Sequence, residues 1–152
     1  MHKIKYSRFA DPESTARGIG RELVISPKKT YELCNALRGR MLDAAYKILD
    51  GVVEVKRPIK FLRYGTMVAH KKGIGPGRFP VNAAKDIKKL LEHVEANARE
   101  KQLQGDLKIV HIACHRGQIN KSYRPRARGS SSPFNQKTVN VEIILEEIEK
   151  EE

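Results

Sequence analysis

What this chain lacks narrows its class before any motif is read. Trp is absent, and aromatic residues make up 6% of the 152 residues. Binding through many stacked bases is therefore not expected, and charge and shape must contribute more. Cys34 and Cys114 are the only two cysteines. In an unsecreted chain one pair makes no disulfide framework, and two buried small apolar residues is the simpler reading. No apolar run approaches the roughly 18 residues that span a bilayer. The opening residues Met1 to Tyr6 carry charge with no apolar segment behind them, so no signal peptide is expected. Nothing at Glu151-Glu152 marks a lipid anchor, and the protein is expected to be soluble and cytoplasmic, with no membrane partner and no small-molecule substrate.

The most telling absence is of negative charge. Lys56 to Lys85 contains no Asp or Glu, and it holds Lys56, Arg57, Lys60, Arg63, Lys71, Lys72 and Arg78. Leu107 to Val141 is also free of acids, with Lys108, Arg116, Lys121, Arg124, Arg126, Arg128 and Lys137. The whole chain has a formal charge of +12 and a pI near 9.9. A surface this positive seeks a polyanion, with nucleic acid first and an anionic membrane surface second.

The chain reads as one α+β domain. Residues 1–20 look like an extended basic arm carrying Lys3, Lys5, Arg8 and Arg17, which needs tying down to be ordered. Residues 21–106 form a helical body opened by a short strand at Leu23-Val24-Ile25. Ser26-Pro27 starts a helix, with Ser as cap and Pro at the first position. Thr30, Leu33, Cys34 and Leu37 follow at helical spacing, and Gly39 stops it. A second helix presents Met41, Ala44, Ala45, Ile48 and Leu49 and ends at Asp50-Gly51. Gly73-Ile74-Gly75-Pro76-Gly77 is a loop by composition. Pro80 opens the longest helix, whose Ala84, Ile87, Leu91, Val94 and Ala98 recur in steps of three and four, and Gly105 ends it.

Residues 107–145 read as a long β-hairpin. Leu107 to Cys114 is rich in β-formers. On the return, Val139, Val141, Ile143 and Leu145 alternate with Thr138, Asn140 and Glu142. Its tip, Arg124 to Ser132, has no apolar residues from which to build a core. Extended from Leu107 to Arg124 it reaches about 60 Å, so it must project beyond the body. An isolated hairpin is marginal in water, which points to a phosphate-rich partner for the tip. Arginine's planar fork suits phosphate and stacks on bases. A disordered basic loop and a general DNA-binding loop are the alternatives. Residues 146–152 form an acidic tail.

Weaker signals lead elsewhere or nowhere. In a strand, His111 and His115 share a face about 13 Å apart while Cys114 points away, so no metal site is expected and the histidines face RNA or pack at the hairpin base. Gly73-x-Gly75-x-Gly77 lacks the strand-to-helix setting of a nucleotide fingerprint, and survives as a loop whose backbone approaches RNA closely. Glu92, Glu95 and Glu100 read as a solvated helix face. An RNA-processing nuclease would need clustered carboxylates with a metal or a histidine pair, and the basic segments hold no carboxylate. A basic chaperone or DNA-compacting protein would differ by its indifference to RNA structure.

Four motifs resemble the universal large-subunit ribosomal protein family number twenty-two, in its archaeal branch. They are Ser26-Pro27-Lys28-Lys29 with Leu37-Arg38-Gly39-Arg40; Ala44-Ala45-Tyr46-Lys47-Ile48-Leu49; Gly75-Pro76-Gly77-Arg78-Phe79-Pro80 through Lys85; and Tyr123-Arg124-Pro125-Arg126-Ala127-Arg128-Gly129 with Thr138-Val139-Asn140-Val141. They cover the chain from about Leu23 to Leu145. Ser130-Ser131-Ser132 replaces the more basic stretch of bacterial relatives. A long basic C-terminal extension of the eukaryotic kind is missing, which favours an archaeal source.

The resemblance implies a small antiparallel three-stranded sheet packed with three helices, plus one protruding hairpin. It also implies a non-enzymatic constituent of the large subunit that binds 23S-type rRNA, supports assembly and touches neighbouring ribosomal proteins. Its hairpin tip, Arg124, Pro125, Arg126, Ala127, Arg128 and Gly129, would line the exit tunnel and meet the nascent polypeptide. The expected rRNA contacts are Lys28, Arg38, Arg40, Lys56, Arg57, Lys60, Arg63, Lys71, Lys72, Arg78, Arg116, Lys121, Arg124, Arg126, Arg128 and Lys137. No cofactor or metal is implied.

Overall fold

A computed structural model describes residues 6–103 and 105–148. The central feature is a three-stranded antiparallel sheet made of β1 (Thr15–Leu23), β5 (Asp106–Asn120) and β8 (Gln136–Ile148), in the order β1-β8-β5. Three helices, α1 (Pro27–Leu37), α2 (Leu42–Val53) and α3 (Val81–Glu100), complete the body. The α+β class and the three helices are as the sequence pattern implied, and the three-stranded antiparallel sheet is as the family resemblance implied.

The core lies between the helices and one face of the sheet. Val139, Val141, Ile143 and Leu145 on β8 are fully buried there, with Ile109 and Ile112 from β5. On α3 the expected stripe of Ala84, Ile87, Leu91, Val94 and Ala98 is fully buried against them. At about 25 cal/mol per Å² of apolar surface, each buried Val, Ile or Leu of this set stabilises the fold by about 2 kcal/mol. Gly18 permits the close approach of α3 to β1, because a Cβ there would overlap the Val94 side chain.

Several local expectations need correction. The first strand is Thr15–Leu23, so its residues fall mostly within the stretch read as an arm, and Val24 lies outside it with 59% exposure. Sequence periodicity misses it because Arg17, Gly18 and Gly20 interrupt the alternation; pairing with β8 from Thr15↔Glu146 to Leu23↔Val139 supplies the order. Lys3 and Lys5 lie outside the described residues. Ser26 occupies the N-cap of α1 but makes no side-chain capping bond; instead the Thr30 hydroxyl donates to the Ser26 carbonyl at 2.9 Å.

Helix α2 runs through Gly51 to Val53, because burial of Val52 outweighs the weak helix propensity of one glycine. Helix α3 ends at Glu100, before Gly105; Gln102 takes the left-handed conformation at φ +61° and breaks the turn. Gly75, Pro76 and Gly77 form a strand rather than a loop: β4 (Gly75–Arg78) is the middle of a small sheet with β2 (Ile59–Lys60) and β3 (His70–Lys71). The acidic stretch begins inside β8, with Lys108↔Glu146 and Leu107↔Glu147 in register, and Glu149 to Glu152 lie outside the described residues.

Candidate nucleic-acid interface

The hairpin divides into a root inside the sheet and an arm outside it. Beyond Leu23↔Val139 no third strand accompanies β5 and β8 among the described residues. Register breaks follow between Arg116 and Ile119 and again before β6 (Tyr123–Pro125), which pairs with β7 (Ser131–Pro133). Irregularities of this kind bend and twist a ribbon. The free arm from Gly117 to Ala127 therefore spans about 30 Å at roughly 3.3 Å per residue. This is half the reach estimated from Leu107, because the root of the hairpin belongs to the body sheet.

The tip closes as a short 3-10 turn over Ala127–Gly129. Arg126 N–H donates to the Ser130 carbonyl at 2.8 Å, and the Ser130 hydroxyl donates to the Ala127 carbonyl at 2.8 Å. Arg128 and Gly129 adopt positive φ, +58° and +71°. The serines after Gly129 thus hold the turn together, and Arg126 Nε donates to Ser132 Oγ at 3.0 Å. Arg124, Arg126 and Arg128 are all exposed. Tyr123 and Phe134, 71% and 66% exposed, extend the arm's surface with aromatic area.

Lys28, Arg38, Arg40, Lys56, Arg57, Lys60, Arg63, Lys72, Arg78, Arg116, Lys121 and Lys137 are also exposed, while Lys71 is half-buried, its amine 5.6 Å from the Phe79 ring centre. The fold gathers them in groups. Lys28, Arg116 and Lys137 line one cleft of about 220 Å³ between the start of α1 and the hairpin. Lys60, Lys71 and Arg78 belong to the small sheet. Arg38 and Arg40 sit where the α1 end is stitched to β5, through Gly39 N–H to Ile109 O at 2.8 Å and Ile109 N–H to Arg40 O at 2.9 Å. Some of these cations also have partners within the protein. Lys56 pairs with Glu54 at 2.7 Å, and Arg38 donates to the Ile112 carbonyl at 2.9 Å.

Two clusters were not legible in the sequence. Tyr31 and Tyr64 meet edge to face at 5.7 Å, with Arg63 5.2 Å and 5.7 Å from the two ring centres and Lys28 5.6 Å from Tyr64. The buried Glu32 fixes this arrangement by accepting the Tyr64 N–H at 2.8 Å. Hydrogen bonds, first to Asn35 and then to Arg63, lower the Tyr31 hydroxyl pKa from its ordinary value. The only sequence signal was a pair of tyrosines beside basic residues.

The second cluster lies on the sheet face opposite the helices. His111 and His115 converge on one carboxylate; both ring Nε2 atoms reach Glu142 Oε1, at 2.8 Å and 3.2 Å. Ser7 completes the set, its N–H donating to Glu142 Oε2 at 3.1 Å and its hydroxyl to Oε1. Burial pushes the Glu142 carboxyl up, but the bonds from Ser7, His111 and His115 outweigh it and bring its pKa down to about 2. The N-terminal segment is thereby fastened across the sheet. Lys101 adds bonds to the Pro12 and Thr15 carbonyls at 2.6 Å and 2.9 Å. Among the described residues no group of three or more His, Cys, Asp or Glu is arranged to hold a metal ion, and no helix is long and apolar enough to cross a membrane.

Comparison with known proteins identifies the family. A protein called large ribosomal subunit protein uL22 from Picrophilus torridus is 46% identical over 142 residues, covering 93% of this chain and 95% of its own. Proteins of the same name from Methanocaldococcus jannaschii and Methanococcoides burtonii are 44% and 43% identical, each covering 97% of this chain and 97% and 99% of their own. The profile of the family described as ribosomal protein L22p/L17e matches residues 18–146, from within β1 to within β8 and across the entire hairpin, and the chain belongs to that family.

Proposed function

We propose that the protein is a structural constituent of the large ribosomal subunit, in cytoplasmic ribosomes, that binds 23S-type rRNA and catalyses no reaction. The body docks across RNA through the exposed cations of the Lys28–Arg116–Lys137 cleft, the small sheet and the α1 corner. Lys56, Arg57, Lys72 and Lys121 add positive charge around these groups. The hairpin arm enters a channel walled by RNA, where its arginines neutralise phosphates from converging strands, and its tip lines the nascent-peptide exit tunnel. By bridging RNA segments, and by touching neighbouring ribosomal proteins, the protein supports subunit assembly.

The observation that carries this reading is the free arm. Among the described residues it has no third strand, no acidic residue and an exposed arginine tip, a combination that leaves a marginal, self-repelling ribbon unless a polyanion surrounds it. The names and close identity of the relatives support the same assignment.

Two measurements test it. Affinity for large-subunit rRNA fragments should fall with log salt by about 0.7 to 0.9 per phosphate neutralised, and a salt-independent complex would count against the proposal. In ribosomes pelleted through high salt and split, the chain should be recovered stoichiometrically with the large subunit. Recovery only in free RNA or DNA fractions would make it a general nucleic-acid binder.

A further inference from the structure

Neither the ribosomal assignment nor the RNA surface uses the two cysteines, yet the fold brings them together. Cys34 lies on α1 and is 1% exposed, within the main core. Cys114 lies on β5, half-buried and packed against that core. Helix α1 packs directly on β5, and the two thiols are near enough that each shifts the ionisation of the other. The contact is held in register by bonds on either side. Arg38, at the end of α1, donates to the carbonyl of Ile112, two residues before Cys114. Gly39 and Arg40 exchange backbone bonds with Ile109.

We propose that Cys34 and Cys114 are a redox pair that a low-molecular-weight disulfide converts into an intramolecular disulfide tying α1 to the root of the hairpin.

The two sulfurs have different roles because they differ in access and in charge. Cys114 is the one a small oxidant reaches. Interaction with the Cys34 thiol lowers the Cys114 pKa despite partial burial, with the Arg38 charge helping. Cys34 is pushed the other way, first by the same interaction and then by burial. Cys114 therefore gives its proton to solvent and its thiolate attacks one sulfur of the small disulfide. That S–S bond breaks, and one small thiol leaves after protonation. The product is a mixed disulfide on Cys114. Cys34 then loses its proton and attacks Cys114 Sγ, breaking the mixed bond and releasing the second small thiol. Two cysteine thiols are oxidised and one small disulfide is reduced to two thiols. The new bond closes a loop of about 80 residues that contains α2 and α3, and long loops gain most from such closure.

The test uses the full-length protein and glutathione disulfide. The wild-type intact mass should fall by about 2 Da, the loss of two hydrogens, and non-reducing peptide mapping should recover Cys34 joined to Cys114. The melting midpoint should rise by roughly 10 °C and fall back with a reductant. C34S, or C34A if that variant folds poorly, should stall with one glutathione on Cys114. C114S should stay unmodified. A wild-type protein that keeps a stable glutathione on Cys114, forms a disulfide between chains, or does not react overturns the proposal.

Discussion

Replacing Glu142 with Gln should destabilise the protein by an amount that depends on pH in a defined way. Glu142 is 1% exposed and receives four bonds, two from Ser7 and one each from His111 and His115. Its folded pKa is about 2 against an ordinary 4.5. Linkage converts a depression of that size into about 3 kcal/mol of stability from the ionised carboxylate. Because the folded value lies below the unfolded one, this stability is fully present above about pH 4.5 and is lost as the pH falls through about 2. Urea denaturation of wild type and E142Q at about pH 6.5 should therefore differ by about 3 kcal/mol, a melting shift of roughly 10 °C. The gap should shrink below about pH 4 and nearly close by about pH 2. Equal stability near neutral pH would mean that the desolvation of Glu142 cancels its bonds, and a gap that persists undiminished at low pH would mean that packing, not charge, holds the N-terminal segment.

Gly18→Val should cost about 1 to 3 kcal/mol or more in chemical denaturation, because its side chain must displace Val94 and lift α3 from β1. Leu91→Ala, deleting a fully buried side chain in the α3 stripe, should cost about 2 to 5 kcal/mol by the same assay. Replacing Arg124, Arg126 and Arg128 together with Ala should leave the melting midpoint within about 1 °C, since these exposed side chains add nothing to the core. The same triple variant should reduce the salt slope of rRNA binding by about 2 to 3. An unchanged slope would remove the tip from the RNA interface.

The sequence by itself determined the class of the molecule and most of its large elements. Absence of acids over two long segments needs no fold to be read, and every cation in those segments is visible as such. The α3 stripe and the β8 alternation were legible because one face of each is buried in a single continuous core, which forces a period on the residues. Tertiary structure alone decided what depends on partners distant in the chain. Strand β1 has no clear period and exists because β8 offers it a ladder. A Gly-Pro-Gly segment with loop composition becomes a central strand because β2 and β3 flank it. His111 and His115 could be placed on one strand face from the sequence, but nothing in it linked them to Glu142 or Ser7; only the folded chain could bring these donors from separate segments to one buried carboxylate.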